Sequence, residues 1–529
     1  MAFPNKAYQD IREEEVAGTR LKTYYPRPIS LNDMLDRSVA KWPDRECLVF
    51  DQERLTFWQF AREVQATAAS LAWRRVGNGD RVALLMENRL EFALAYYAVQ
   101  RVGGIAVVLN ARLPADTITF MLRDAGVKLL VTSPEMAALL VSSGKRPPQL
   151  EHIVTLGPPP APDMTAWSTF RESRATAYDR PTDDEDKPAA ILYTSGTTGL
   201  PKGAIQTHRN VISNAMNAAR LLGLSPEDRT LVAVPLFHAT GVNSQLSAML
   251  YAGGTSVLRP YFKTDDFIDQ LVREQISVAI GVATMFWFML ESPNLAGQDL
   301  SRLRHIVYGG SPAPVQLIER LKRQFPAVQL GNVWGLTECT SIATWLPDDA
   351  ALAKPDSVGL GAPTLEVRVD NPAANGGIGE LLVKGPSVIP GYWNNAAASQ
   401  ETLQNGWLKT GDIGRIDDEG YVYVLDRKKD MIIRGGQNIY SIEVENVLYQ
   451  HPKVLEAAVV GIPDPVWGER VRAFLVAKPG QSVQAEEIRE FCQERLARYM
   501  VPETVRVVPM LPRNPGGKVL KDALRAMEG

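Results

Sequence analysis

The sequence predicts an α/β protein of more than one domain, and three observations predict it. The chain has 529 residues, while single hydrophobic cores stop growing at roughly 250–300 residues. From about residue 55 to 345, short apolar runs alternate with segments of helical period. That alternation belongs to helices laid on largely parallel sheets. Near residue 357 the pattern changes to short strand-like runs full of turn signals, and it changes again after "YVYVLDRKKDMIIRGGQNI".

Each element has its own signal. "RVALLM" (81–86), "GIAVVL" (104–109), "KLLVT" (128–132), "LVAVP" (231–235) and "HIVYG" (305–309) read as buried strands. Between the first of them, "FWQFAREVQATAASLAWR" and "EFALAYYAVQRV" carry helix-period apolar faces. "VAIGVATMFWFML" (278–290) reads as one buried core element, too short to span a membrane. "LGPPPAPDM" (156–164) is a Pro-rich surface connection. The stretch containing "VGLGAPTLEVRV" reads as a small β unit. In the last part, "SIEVENVLYQ" is a helix, "VLEAAVVGI" and "RVRAFLVAK" are strands, and "AEEIREFCQERLARY" is a helix. They form an α+β unit behind a polar, charged boundary.

Composition narrows the function. Apolar residues make up 45%, charged residues 22%, and the net charge is −3. No basic excess points to a nucleic-acid partner, and no acidic tail to a disordered arm. Cys47, Cys339 and Cys492 lack pairing or metal spacing, which fits a reducing compartment. The N-terminal "MAFPNKAYQDIREEEVAG" is neither a signal nor a transit peptide. These features predict a cytoplasmic protein without a transmembrane segment. Surface contact with a membrane and homo-oligomerisation stay open.

The stretch that carries chemistry is "YTSGTTGLPKG" (193–203), which follows the probable strand "AAILY". Its glycines let successive N–H groups converge on an anion, and Lys202 adds a point charge. It reads as a phosphate cradle. It is not a Walker A loop, because Pro201 stands where that pattern needs Gly. The plainer reading is a flexible polar loop. "VWGLTE" (333–338), "KTGD" (409–412), "YVLDRKKDMIIRGGQNIY" (423–440) and "PRNPGGKVLK" (512–521) decide between them. Together and in this order, these motifs resemble those of the adenylate-forming (AMP-binding) superfamily: acyl-CoA synthetases, luciferases and peptide-synthetase adenylation domains. The likeness runs from about residue 30 to the end.

The resemblance implies a large N-terminal domain, 1–428, with two α/β subdomains and a small β-barrel-like subdomain at about 357–425. A mobile α+β C-terminal domain, 429–529, follows. It also implies two half-reactions. A carboxylate attacks the α-phosphate of ATP to give acyl-AMP and pyrophosphate, and the thiol of coenzyme A then takes the acyl group and releases AMP. In that scheme Thr194, Ser195, Gly196, Thr197, Thr198, Gly199 and Lys202 cradle the β- and γ-phosphates. Glu338, with Thr194, holds Mg²⁺, and Thr337 touches the α-phosphate. Trp334 stacks on adenine, where Tyr or Phe is more usual in the family, and Asn332 reads the adenine edge. Asp412 and Arg427 hold the ribose. Lys518 bridges the acid and the phosphate as the adenylation lysine, and Lys429 is the hinge.

On the coenzyme A side the resemblance places Arg434, Gly435, Gly436 and Trp467. Arg434 has a solvated alternative. The acyl pocket is expected to take its lining from His238, Gly241, Met285, Tyr308, Gly309, Gly310 and Ser311. The glycines of "YGGSPAP" suggest room for a sizeable acyl group. "PLFHATGV" is apolar where amino-acid-activating relatives place an acidic residue. A fatty, alicyclic or aromatic acid is therefore expected. Cys339 beside Glu338 has no His/Asn partner pattern and reads as a packed thiol rather than a nucleophile. The leading function is an AMP-forming acid:CoA ligase using ATP, Mg²⁺ and coenzyme A. The alternatives are transfer to a carrier-protein thiol, for which no fused carrier domain is seen, luciferase-like use of oxygen, or a catalytically silent nucleotide-binding relative.

Overall fold

Runs of Val, Ile, Leu and Ala flanked by polar turns pair best where both faces are covered, and they set the architecture. The structure is a computed structural model that describes residues 5–142, 144–172, 175, 177–194, 200–311, 313–372, 376–513 and 519–527. One sheet has seven strands. Their order is Lys202–Thr207, Pro188–Thr194, Ile105–Val108, Arg81–Leu85, Val127–Thr132, His152–Thr155 and Thr165–Ala166. Pairing is parallel except in the hairpin of Pro188–Thr194 with Lys202–Thr207. A second sheet has nine strands. Parallel strands form its middle: Gln329–Trp334, His305–Gly309, Val278–Gly281, Arg229–Val232, Thr255–Leu258 and Glu46–Phe50. Thr344–Leu346, Leu360–Gly361 and Glu53–Thr56 add antiparallel edges.

Helices Phe57–Trp73 and Leu90–Arg101 fill the space between the sheets. The first starts at a capping box in which Thr56 and Gln59 satisfy each other's backbone N–H. The second buries every residue but Glu91. It shares one core with Val82, Leu84 and Ala106 of one sheet and Leu48, Val232 and Leu258 of the other. Fully burying one such aliphatic side chain is worth about 1.5–3 kcal/mol. Arg101 is tolerated in that layer because it pairs with Asp36 at 3.1 Å.

Two readings are corrected. The run 278–290 is two elements, the strand Val278–Gly281 and the helix Ala283–Glu291. Both are buried and apolar, so hydrophobicity alone could not place the turn between them. The expected barrel-like unit is a five-stranded antiparallel sheet of Glu366–Val369, Gly379–Lys384, Leu403–Gln404, Trp407–Ile416 and Val422–Arg427. Its pairings branch from Trp407–Ile416 and, among the described residues, never return to Glu366–Val369. A barrel needs its first and last strands joined. The C-terminal part has its own five-stranded sheet, with Gly468–Ala477 at its centre, Val454–Asp464 along its edge, and helices Ser441–Tyr449 and Ala485–Gln493 sharing its core.

Candidate active site

The phosphate-loop candidate is the tip of a hairpin. Thr194 ends one strand, Lys202 begins the next, and the two are register partners. Ser195, Gly196, Thr197, Thr198 and Gly199 lie outside the described residues, as does Lys518. Glu338 sits in the single turn Thr337–Cys339 and reaches the hairpin base. Its Oε1 accepts hydrogen bonds from Thr194 Oγ1 at 3.3 Å and from the Tyr392 hydroxyl at 2.9 Å. Burial, with the Glu338 charge beside it, pushes the Tyr392 phenol well above its usual range. Tyr392 therefore stays a donor. The Lys202 ammonium lies 5.4 Å from the centre of the same ring. Tyr392 was missed at the sequence level. It lies 54 positions from Glu338, and no local spacing links them.

Beside this cluster, Asp412 is 3% exposed. Trp334 Nε1 donates to its Oδ2 at 2.9 Å, and Arg427 Nε stands 2.7 Å from its Oδ1. Arg427 is also its register partner across the sheet. Trp334 is 9% exposed, so most of its ring is packed, and its indole N–H orients the carboxylate. Asn332 donates to the Ser357 carbonyl at 3.1 Å. An amide chain braces the Glu338 turn from behind. Gln206 donates to the Thr337 carbonyl at 3.3 Å and accepts from Asn243 at 3.0 Å, and Asn243 also donates to the Thr340 carbonyl. Thr340 and Ser341 have φ of 63° and 133°, a strain that such bracing sustains. Cys339 is wholly buried and its thiol is pushed up to about 12. It is no thiolate nucleophile at neutral pH.

On the acid side, His238 is exposed and stands just before the π-helix Thr240–Ser247. Met285 is buried. Gly310 and Ser311 reach the surface at the end of the strand His305–Gly309. Three expectations change here. Tyr308 is 0% exposed and belongs to the same buried core cluster as Phe267 and Phe286, so its side chain is part of the core. A Cβ on Gly309 would meet the Val333 carbonyl at 2.4 Å, and one on Gly241 would meet the Pro235 carbonyl at 2.4 Å. Backbone packing requires these two glycines, so their lack of a side chain is explained without an acyl group beside them.

In the C-terminal part, Gly435 has φ of 57° and donates its N–H to the Trp467 carbonyl at 2.7 Å. Trp467 is half exposed. Arg434 is not simply solvated: it pairs with Glu503, donates to the Tyr499 carbonyl at 2.8 Å and lies over Trp467. Gly436, with φ of 81°, borders open space. Lys429 stands 3.5 Å from Asp522. A buried charge cluster sits at the same junction. Asp426, from the five-stranded sheet, accepts the Ser441 N–H at 2.5 Å, and Lys521 pairs with Glu445 at 2.8 Å and with Ser441.

Among the described residues no three His, Cys, Asp or Glu side chains gather as a metal site, and no helix is long and apolar enough to cross a membrane. Known proteins match the chain along most of its length. The model of the "AMP-binding enzyme" family matches residues 35–393, and that of the "AMP-binding enzyme C-terminal domain" matches 443–518. The 2-succinylbenzoate–CoA ligase of Bacillus licheniformis is 37% identical over 91% of this chain and 97% of its own length. The long-chain-fatty-acid–CoA ligase FadD13 of Mycobacterium tuberculosis is 36% identical over 89% and 93%. Among solved structures, the o-succinylbenzoate CoA synthetase of Bacillus subtilis with its acyl-adenylate intermediate superposes with a TM-score of 0.83 at 33% identity, covering 94% of this chain and 98% of that one. The same enzyme with ATP and magnesium gives 0.82. With both family models matched in order and relatives aligned over nine-tenths of its length, the chain belongs to the AMP-binding enzymes.

Proposed function

We infer that the protein is an ATP-dependent acid:CoA ligase. It joins a carboxylic acid to AMP with release of pyrophosphate, then transfers the acyl group to coenzyme A with release of AMP. The observation that carries this is Glu338, fixed between Thr194 and Tyr392 at the base of the hairpin that ends in Lys202. A single oriented carboxylate suits Mg²⁺, which keeps several waters and takes its other ligands from substrate phosphates. Among the described residues no group donates to the second Glu338 oxygen, so the donor set fits. When bound, the ion supplies charge neutralisation on the phosphates.

The chain's own residues do the rest. We assign the β- and γ-phosphates to Thr194 through Gly199 and to Lys202, and the α-phosphate to Thr337. Asp412, held by Trp334 and Arg427, accepts from the ribose hydroxyls. Asn332 and the exposed edge of Trp334 face the adenine. Lys518 stabilises the negative charge that gathers as the carboxylate oxygen bonds to the α-phosphorus and the bond to pyrophosphate breaks. His238, Met285, Gly310 and Ser311 border the acid. Arg434, Gly435, Gly436 and Trp467 border the pantetheine arm. Lys429 is the pivot between residues 1–428 and 429–529. The acid is a fatty, alicyclic or aromatic one, and the protein acts in the cytoplasm.

Pyrophosphate release from ATP and Mg²⁺ tests this across a panel of such acids, with and without coenzyme A. Sustained turnover only with coenzyme A is expected. Release that stops at about one equivalent per enzyme, a burst of bound acyl-AMP, would mean that the acceptor is another thiol.

A further inference from the structure

Both legs of the phosphate hairpin are tied to one residue outside it. Tyr193 stands directly before Thr194 and is the register partner of Gly203. Its hydroxyl donates to Asp124 Oδ2 at 2.6 Å, with the Met121 carbonyl a second acceptor at 3.3 Å. Burial, then the hydrogen bond to Asp124, pushes the Tyr193 phenol well above its usual range. The proton therefore stays on the tyrosine, and the bond is a charge-assisted one. The second leg is held through residues 391–394. The Ile205 N–H donates to the Gly391 carbonyl at 3.1 Å and the Trp393 N–H to the Gly203 carbonyl at 2.7 Å. These bonds lay the segment along the strand Lys202–Thr207. Trp393 Nε1 and Asn394 Nδ2 then donate to the Asp124 carbonyl at 3.2 and 2.8 Å. Tyr392, the donor to Glu338, stands between the two backbone anchors. The bracket is closely packed: a Cβ on Gly203 would lie 3.3 Å from Tyr193 Cζ and 3.4 Å from Trp393 Cβ.

Asp124 is placed against its local preference. It is the last residue of the helix Ala115–Asp124, where the negative end of the helix dipole disfavours a carboxylate. Breaks of a local rule concentrate where function needs the group. Asp124 lies 69 positions before Tyr193 and 270 before Asn394, and it belongs to none of the sequence motifs.

We propose that Asp124 is a positioning residue for the ATP half of the reaction: its carboxylate fixes the first leg of the hairpin, and its carbonyl fixes the segment that aims Tyr392 at Glu338. It acts through Tyr193, Trp393 and Asn394. The proposal rests on the ligase reading, which assigns the hairpin to the β- and γ-phosphates, and it adds a residue on which that geometry depends.

Titration calorimetry with ATP–Mg²⁺ and, separately, with AMP tests it, because AMP has no β- or γ-phosphate to reach the hairpin. Wild type, Tyr193→Phe, Asp124→Asn, Asp124→Ala and the double variant Tyr193→Phe/Asp124→Ala are compared. Pyrophosphate release is measured on the same proteins across the acid panel. Tyr193→Phe and Asp124→Ala are each expected to weaken ATP–Mg²⁺ binding about tenfold, the scale of one hydrogen bond to a charged group, and to leave AMP binding unchanged. The double variant is expected to be no weaker than either single one, since all three remove the same bond. Asp124→Asn keeps an oxygen acceptor and is expected to recover most of the loss. If Asp124→Ala does not fold, Tyr193→Phe and Asp124→Asn still carry the comparison. Equal losses for ATP–Mg²⁺ and AMP, no loss for either, or strictly additive losses in the double variant overturn the proposal. Selective weakening of ATP–Mg²⁺, with no pyrophosphate released from any acid even by wild type, retains the positioning role and sinks the ligase reading. Pyrophosphate release by wild type, with ATP–Mg²⁺ binding unmoved in the variants, does the reverse.

Discussion

At the scale of single residues, the site works by holding charged groups still. Asp412 is aimed by one neutral donor and one cation, and Glu338 by two hydroxyls. Fixed dipoles of this kind cost no reorganisation at the moment of reaction. Trp334→Phe keeps the ring and removes the N–H that Asp412 accepts. Hydrogen bonds to charged groups are worth about 1.5–3 kcal/mol, so the KM for ATP is expected to rise about tenfold or more, with the melting temperature little changed. An unaltered KM would show that the Trp334 N–H is not needed to orient Asp412. Lys518→Ala is expected to slow acyl-AMP formation by at least about 10²–10³-fold, the cost of removing one transition-state donor, and to spare coenzyme A transfer from supplied acyl-AMP. Equal losses in the two half-reactions would remove Lys518 from that role. Glu338 and Asp412 stand out in the sequence because their neighbours carry the motif. Tyr392 and the Gln206–Asn243 brace do not, since each acts on a turn far away in the chain.

At the scale of elements, periodicity located strands and helices well wherever polarity changed with the turn. It failed at 278–290, where strand and helix are both buried, and it could not say why a glycine is there. Gly309 looked like space and Gly241 like pocket lining, and each is packed against backbone of another segment. Gly331 is the strictest case, because its Cβ position belongs to the Trp345 ring. Gly331→Ala is expected to destabilise the protein by about 1–3 kcal/mol, as overpacking does. Chemical denaturation measures this. In a Trp345→Leu background the same change is expected to cost less, and a strictly additive double mutant would argue against direct contact.

At the scale of the whole molecule, burial of imidazoles ties folding to pH. His208 and His305 are held down at about 4, mainly by desolvation, against 6.5 for an exposed histidine. Above pH 6.5 both are neutral, folded or unfolded. Between 6.5 and 4 the unfolded chain takes up protons that the folded chain refuses. Stability is therefore complete above 6.5 and falls as the pH drops toward 4, by on the order of 2–3 kcal/mol for each group. His208 Nδ1 also accepts the Leu31 N–H at 3.2 Å. His208→Asn, which keeps an acceptor and does not titrate, is expected to flatten the acid limb of a melting-temperature profile. An unchanged limb would assign it elsewhere. The junction between the large and small parts makes a second prediction. Lys429→Pro removes backbone freedom at the proposed pivot and is expected to slow coenzyme A transfer more than adenylation, read from the two half-reactions separately. If transfer is unaffected, the pivot is at another residue.

What the sequence determined by itself was the alternation of strands and helices, the separate C-terminal unit, and the order of motifs that makes this an AMP-binding enzyme. These are local properties: apolar period, turn chemistry, and short runs whose residues act together. The tertiary structure alone decided which partners aim Glu338 and Asp412, that the sheet of Glu366–Arg427 stays open, and that the Trp345 ring takes the place a side chain at Gly331 would fill. Each of these depends on contacts between residues distant in the chain, and no local pattern of hydrophobicity or charge encodes which distant side chain fills a given space.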